Sequence, residues 1–162
     1  MPTVYLGLGS NLDPQSNLEF AIRELEKRFG ELRKSTVYRS AAYGFDGDDF
    51  LNLVVRLETD RTPIELHTEI EKIHRAAGRD QAARGFSPRT LDIDLLLYDD
   101  LVINESAIRL PRPDVLQFSF VLGPLVEIAP DLVHPETGQS LKTHWEQFDV
   151  NHHPITPEQF VL

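Results

Sequence analysis

Apolar positions along the chain follow two periods in turn, near 2 and near 3.6. Thr3–Leu8 is short, β-rich and mostly apolar, and ends at Gly9-Ser10-Asn11, which predicts a strand running into a turn. Asp13-Pro14 then opens a helix, with Pro at the first helical position, where its missing N–H costs no intrahelical bond. Leu18, Ile22, Leu25 and Phe29 recur at helical spacing, and Gly30 closes the element. Leu32–Tyr43, which contains Ser-Thr-Val-Tyr, predicts a second strand, and Gly44–Asp49 an acidic turn. Phe50–Glu58 alternates: Leu51, Leu53, Val55 and Leu57 face a core, while Phe50, Asn52, Val54 and Arg56 form an opposite face carrying an aromatic and an amide. A second helix starts near Thr62-Pro63, with the stripe Leu66, Ile70, Ile73 and Ala77 and a stop at Gly78. Leu91–Tyr98 predicts a further strand. Shorter pieces follow: Leu101–Ile103, a Pro-rich turn at Leu110–Pro113, an apolar helix near Phe120–Ile128, another near Leu141–Phe148, and an irregular tail from Asp149.

The order β-α-β-β-α-β with C-terminal additions predicts an α+β, ferredoxin-like domain. Its antiparallel sheet carries both helices on one face and leaves the other free for a ligand. A length of 162 residues fits one domain spanning 1–162, with a core over about residues 3–135 and a peripheral tail at 149–162. The net charge of −10 argues against non-specific binding to nucleic acid or anionic membrane, so the expected partners are small molecules. The chain has no cysteine, which removes disulfides, thiolate nucleophiles and Cys-zinc sites from consideration. The start has no signal-peptide pattern, and no apolar run approaches ~18 residues, so a cytoplasmic protein is expected.

Against the acidic background, Arg75, Arg79, Arg84 and Arg89 lie in one stretch with a single acid, Asp80. Such a loop is either a solvated charged segment or a site for a small anion. The strand after it carries Asp92 and Asp94, two residues apart and therefore on one face, with Leu91, Ile93 and Leu95 on the other. Two carboxylates roughly 7 Å apart repel each other, and a divalent cation relieves the repulsion. Carboxylate oxygens without His or Cys suit magnesium. Two surface acids on an edge strand are the plain alternative. Arg89, three residues before Asp92, supplies a planar fork suited to phosphate. Basic groups beside a paired-carboxylate site are what phosphoryl transfer needs. No P-loop is present, and Gly7-Leu8-Gly9-Ser10-Asn11-Leu12 lacks the last Gly of the dinucleotide fingerprint. His67 and His74 share a helix face seven residues apart, not the four of a helical metal pair, and a half-exposed role is expected. His152-His153 are expected to be solvated, and Asp46–Asp49 to be an acidic turn. Phe50, Phe86 and Phe120 are core residues taken singly. Together they could sandwich a flat heterocycle whose edge Asn52 would fix.

Six blocks occur in order: Gly7–Leu12, Tyr38-Arg39-Ser40, Phe50-Leu51-Asn52, Gly78-Arg79, Pro88-Arg89-Thr90-Leu91-Asp92-Ile93-Asp94 and Phe120-Val121-Leu122-Gly123-Pro124-Leu125. In these the chain resembles the 6-hydroxymethyl-7,8-dihydropterin pyrophosphokinases of folate biosynthesis, over about residues 3–135. The resemblance implies a monomer that transfers diphosphate from ATP to the pterin hydroxymethyl group and leaves AMP. It implies two Mg2+ ions on Asp92 and Asp94, with Arg79 and Arg89 on the phosphates. It implies a pterin pocket of Ser40, Ala41, Tyr43, Phe50, Asn52 and Phe120, closed by Phe86. His74, Arg84, Arg89, Leu95, Arg109 and Arg112 fall on the nucleotide side.

Departures from the family pattern lie mostly on that nucleotide side. Pro111-Arg112 stands for Pro-His, Phe118 for an Arg, His74 for a carboxylate and Gln81 for a basic residue. Arg84-Gly85-Phe86 replaces a simpler Arg-aromatic step. These departures keep a second reading open, a catalytically weakened relative that binds pterin or nucleotide. A third is another Asp-x-Asp transferase.

Overall fold

The computed structural model describes residues 1–42, 46–78, 91–160 and 162. β1 (Thr3–Ser10) lies between two antiparallel partners, β4 (Phe50–Glu58) and β5 (Asp92–Tyr98). The predicted second strand is broken in two. β2 (Arg33–Lys34) and β3 (Tyr38–Ser40) both pair with β4, and the sheet runs β5-β1-β4-β3. Ser35 causes the break. Its hydroxyl accepts from the Val54 N–H at 2.9 Å, in place of a ladder carbonyl. The N–H and hydroxyl of the next residue, Thr36, donate to the Glu127 carboxylate at 3.0 and 2.8 Å. Side chains thus satisfy backbone groups that a continuous strand would pair.

α1 (Pro14–Phe29) and α2 (Pro63–Ala76) begin and end where the caps predict. Asp13 adopts the left-handed φ of 42° that turns the chain into α1, and Gly30, at φ 83°, ends it. Thr62 and Glu65 form a reciprocal capping box at the start of α2. Both helices lay their apolar stripes on one sheet face. Leu18, Leu25, Leu66 and Ile73 there meet Leu6, Leu8, Leu53 and Leu57 in a core closed to water.

The opposite face is not left free as expected. α3 (Asp114–Gln117), α4 (Ser119–Ile128) and α5 (Leu141–Gln147) form a second core over its lower half, burying Tyr5, Val54 and Leu97 against Val115, Leu122, Leu125 and Leu141. α4 has a nearly continuous apolar sequence because it is buried on several sides at once. β6 (Ile103–Asn104) and β7 (Arg109–Leu110) form a separate hairpin beside β5.

The tail, expected to be irregular, carries two short elements and is fastened to the sheet edge. After a short 3-10 turn at Val150–His152, β8 (Thr156–Pro157) adds to β3, extending the sheet edge. The Glu158 N–H donates to Val37 O at 2.8 Å, and the Glu158 carboxylate takes the Arg39 guanidinium in a two-pronged pair at 2.7 and 3.2 Å. That pair holds Glu158 below the ordinary carboxylate range. No helix among the described residues is long and apolar enough to cross a membrane.

Candidate active site

The antiparallel register sets out the site in one row. Asp92 lies opposite Gly9, Gly9 opposite Asn52, and Asn52 opposite Tyr38. Residues directly opposite share a face. A parallel row carries Asp94, Gly7 and Val54. Both carboxylates therefore share a face with Asn52, at its end beyond the cover of α4. At ~4.8 Å per strand, Asp92 and Asn52 are roughly 10 Å apart, with glycine between them. Gly9 is required in that place, since a Cβ there would collide with Asn52 Oδ1. The amide lies across the backbone of β1, and its Nδ2 is buried with no hydrogen-bond partner among the described residues. A buried amide donor left unpaired costs about 1–3 kcal/mol, which a ligand acceptor would recover.

Ser40 and Phe50 are paired across β3 and β4, next along the same face. Ser40 is buried and Phe50 half-buried. Phe120, in the first turn of α4, reaches this region with its ring stacked on Phe118 at 5.1 Å and 17°. His153 stands edge-on to Phe120 at 5.4 Å, and its Nε2 donates to Ala41 O at 2.8 Å. It is thus not the solvated residue expected from the sequence. Asn11 Nδ2 donates to Asp48 O at 3.2 Å, tying the turn after β1 to the acidic loop that precedes Phe50.

Four of the residues that the resemblance puts on the nucleotide side, His74, Leu95, Arg109 and Arg112, gather at the outer edge of β5. A pocket of about 200 Å³ is lined by His74, Asp94, Leu95, Arg109 and Arg112, together with His67 and Ile108. Arg112 lies 3.6 Å from Asp94 and 3.3 Å from Asp114. His74 is buried, contrary to the half-exposed role expected of it. Its Nε2 accepts from the Ile93 N–H at 2.9 Å, so the proton sits on Nδ1, which donates to Glu71 at 3.2 Å. That bond pins β5 midway between the two aspartates. The sequence named Tyr43, Arg79, Arg84, Phe86 and Arg89 as well, and these lie outside the described residues.

Among the described residues no third His, Cys, Asp or Glu joins Asp92 and Asp94 to make a larger ligand group. The donor set is two carboxylates, each half-buried, with bare glycine backbone opposite. It fits a hard cation that keeps most of its water and shares phosphate oxygens.

The family model described as 7,8-dihydro-6-hydroxymethylpterin-pyrophosphokinase matches residues 5–130. The chain belongs to this pyrophosphokinase family. It is 43% identical over 145 residues to the 2-amino-4-hydroxy-6-hydroxymethyldihydropteridine pyrophosphokinase of Aquifex aeolicus, covering 88% of this chain and 89% of the relative. It is 38% identical to the enzyme of the same description from Synechocystis, covering 89% and 75%. It is 35% identical to the folic acid synthesis protein fol1 of Pneumocystis carinii, where 95% of this chain spans 21% of the relative. The fold matches Plasmodium falciparum HPPK-DHPS with a TM-score of 0.74 at 14% identity, over 91% of this chain and 43% of that one. Of the residues that the sequence singled out, the structure brings Asp92, Asp94 and Asn52 to one sheet face, with Phe50 beside Asn52. Sequence reasoning missed the two glycines as the floor between the aspartates and the amide, and it missed His153. Gly-x-Gly inside an apolar strand was the available signal for the first, since glycine there marks a close backbone approach.

Proposed function

We infer that the face bearing Asp92, Asp94 and Asn52 is where this pyrophosphokinase acts. The protein is an ATP-dependent diphosphotransferase of folate biosynthesis. It moves diphosphate from ATP to the hydroxymethyl group of 6-hydroxymethyl-7,8-dihydropterin and leaves AMP. The shared cross-strand row carries this site assignment, because it sets a heterocycle-binding amide two strands from a cation-binding carboxylate pair.

Asn52 would fix the edge of the pterin, with Ser40 and the Ala41–Tyr43 backbone beside it. Phe50 and Phe120 would flank its ring plane, and Phe86 would close over it. ATP would lie along β5, touching His74, Leu95, Arg109 and Arg112, with Arg79, Arg84 and Arg89 on its phosphates. Asp92 and Asp94 would hold two Mg2+ ions, which supply charge neutralisation at the phosphates. The hydroxymethyl oxygen attacks the β-phosphorus. The new O–P bond forms as the bond from that phosphorus to the α,β-bridging oxygen breaks, AMP departs with that oxygen, and the hydroxyl proton is released to solvent. The side chains contribute position and charge stabilisation, and none has to act as nucleophile. The sheet order β5-β1-β4-β3 supports a ferredoxin-like reading of the fold. We read the C-terminal helices and tail as part of the same domain, and the protein as a cytoplasmic monomer.

Incubation with ATP, magnesium and the dihydropterin should release AMP and pterin diphosphate. Release of ADP instead, or no AMP from folded protein, refutes the assignment. Asp92→Ala and Asp94→Ala should each abolish turnover and leave the fold intact, since each removes a cation ligand and relieves a like-charge repulsion. Near-normal turnover in either would exclude the metal role.

A further inference from the structure

Two walls meet at the pterin end of the site, and they come from distant parts of the chain. One is the end of β3 with Ser40 and Ala41. The other is the first turn of α4, which carries Phe120. His153 touches both. Its Nε2–H donates to Ala41 O at 2.8 Å, and its ring meets the Phe120 ring at 5.4 Å and 75°. The His153 residue is itself held in place. Its carbonyl accepts from the hydroxyl of Ser119, which is buried beside Phe120. Beyond it, Ile155 packs where a Cβ on Gly123 of α4 would sit, 2.7 Å from Ile155 Cδ1. β8 then pairs with β3, so the segment is fastened on both sides of the imidazole.

We propose that His153 is a positioning residue for the heterocyclic substrate, and that the C-terminal tail is thereby a working part of the substrate pocket. The inference rests on the site assignment above. Two consequences of the geometry support it. The Ala41 carbonyl has two lone pairs, and the histidine N–H occupies one, which orients the group and leaves the other for a ring N–H of a bicyclic heterocycle. The Phe120 ring is braced from one side by Phe118 and edge-on by the imidazole, so its plane is fixed before a flat ligand arrives. Preorganisation of this kind lowers the ordering cost of binding and acts on the heterocycle alone. Among the described residues, none from the tail lines the pocket at the outer edge of β5.

The test is steady-state kinetics on the full-length chain, with calorimetry of the dihydropterin. His153→Ala should raise the KM and Kd for dihydropterin about tenfold, the value of one ordinary hydrogen bond. It should leave the KM for ATP, and kcat at saturating pterin, within about twofold. His153→Gln, which retains a donor near the Nε2 position, should recover most of the loss. His153→Phe keeps the ring contact without the donor and should fall between the two. It also serves as the test if His153→Ala unfolds. An unchanged KM for dihydropterin in a folded variant overturns the proposal, and so does an equal rise in both KM values. Failure of the underlying site assignment is distinguishable, because Asp92→Ala and Asp94→Ala would then keep near-normal turnover, and the proposal would fall with it.

Discussion

Replacing His74 by Phe would remove one hydrogen-bond acceptor at the centre of the aspartate strand and keep an aromatic ring of similar size. In the native arrangement the imidazole Nε2 takes the Ile93 N–H at 2.9 Å. Ile93 and His74 are both buried, each about 3% exposed, so no water can take over that N–H. An unpaired buried donor costs about 1–3 kcal/mol. The lost contact from Nδ1 to Glu71 adds little, because Glu71 is 42% exposed and the pair is well screened. For a chain of this size that destabilisation corresponds to a Tm roughly 2–12 °C lower. Thermal unfolding and denaturant titration measure it, and native-state hydrogen exchange at the Ile93 amide localises it. The Ile93 amide should lose protection by more than those of β4. The strand also carries Asp92 and Asp94 on either side of Ile93, so the KM for ATP should rise while that for the dihydropterin stays near its original value. Unchanged Ile93 protection with an unchanged Tm would refute the claim that His74 anchors this strand.

Two further outcomes follow from other parts of the molecule. Gly9→Ala places a methyl group against Asn52 Oδ1 and displaces the amide. Pterin affinity should fall by about 10- to 100-fold, the worth of one or two hydrogen bonds, and an unchanged Kd would show that Asn52 does not hold the ligand. Burial lowers the pKa of His134, helped by the nearby His144 and opposed by Glu136. The His134 Nδ1 accepts from the Glu136 and Thr137 N–H groups, a role open only to the unprotonated nitrogen. The folded pKa lies below the unfolded value of about 6.5, so the unfolded chain binds more protons between the two. Stability from this group is therefore complete above about pH 6.5 and is lost as the pH falls through the folded pKa. His134→Asn should flatten that part of the stability curve, and equal pH dependence in both proteins would refute the assignment.

Much of the site is written in the local pattern. The period of 2 put Asp92 with Asp94 and Phe50 with Asn52, and the register then joined the two pairs on one face. Capping residues fixed both long helices, because Asp13-Pro14, Thr62…Glu65 and the glycines at 30 and 78 act within one turn. The cover on the second sheet face depends on long-range packing and was harder to read. Val54 on a supposedly open face, and an α4 sequence with almost no polar side, were its signals. The interruption at Ser35 is a competition that side chains 91 residues apart decide, since Thr36 bonds to Glu127. No local pattern in the tail announces that His153 reaches Ala41 and Phe120.

The departures from the family pattern read differently once the edge of β5 is seen. An edge strand exposes unpaired backbone groups, and these must be satisfied or covered. On β5 the Ile93 N–H goes to the His74 side chain, and Leu96 O accepts from the Arg112 N–H at 2.9 Å. Two of the positions that looked like losses on the nucleotide side therefore close the outer edge of the strand that bears the aspartates. A carboxylate at position 74 could also accept from Ile93, but burial there would penalise its charge and set it near Asp92 and Asp94. A neutral imidazole accepts the same hydrogen bond without that repulsion. Arg112 contributes a positive charge 3.6 Å from Asp94 where the family pattern has a histidine. The His74 side chain thus holds the strand edge without a further carboxylate, the Arg112 backbone closes it as any residue there would, and the Arg112 side chain adds a cation beside the pair.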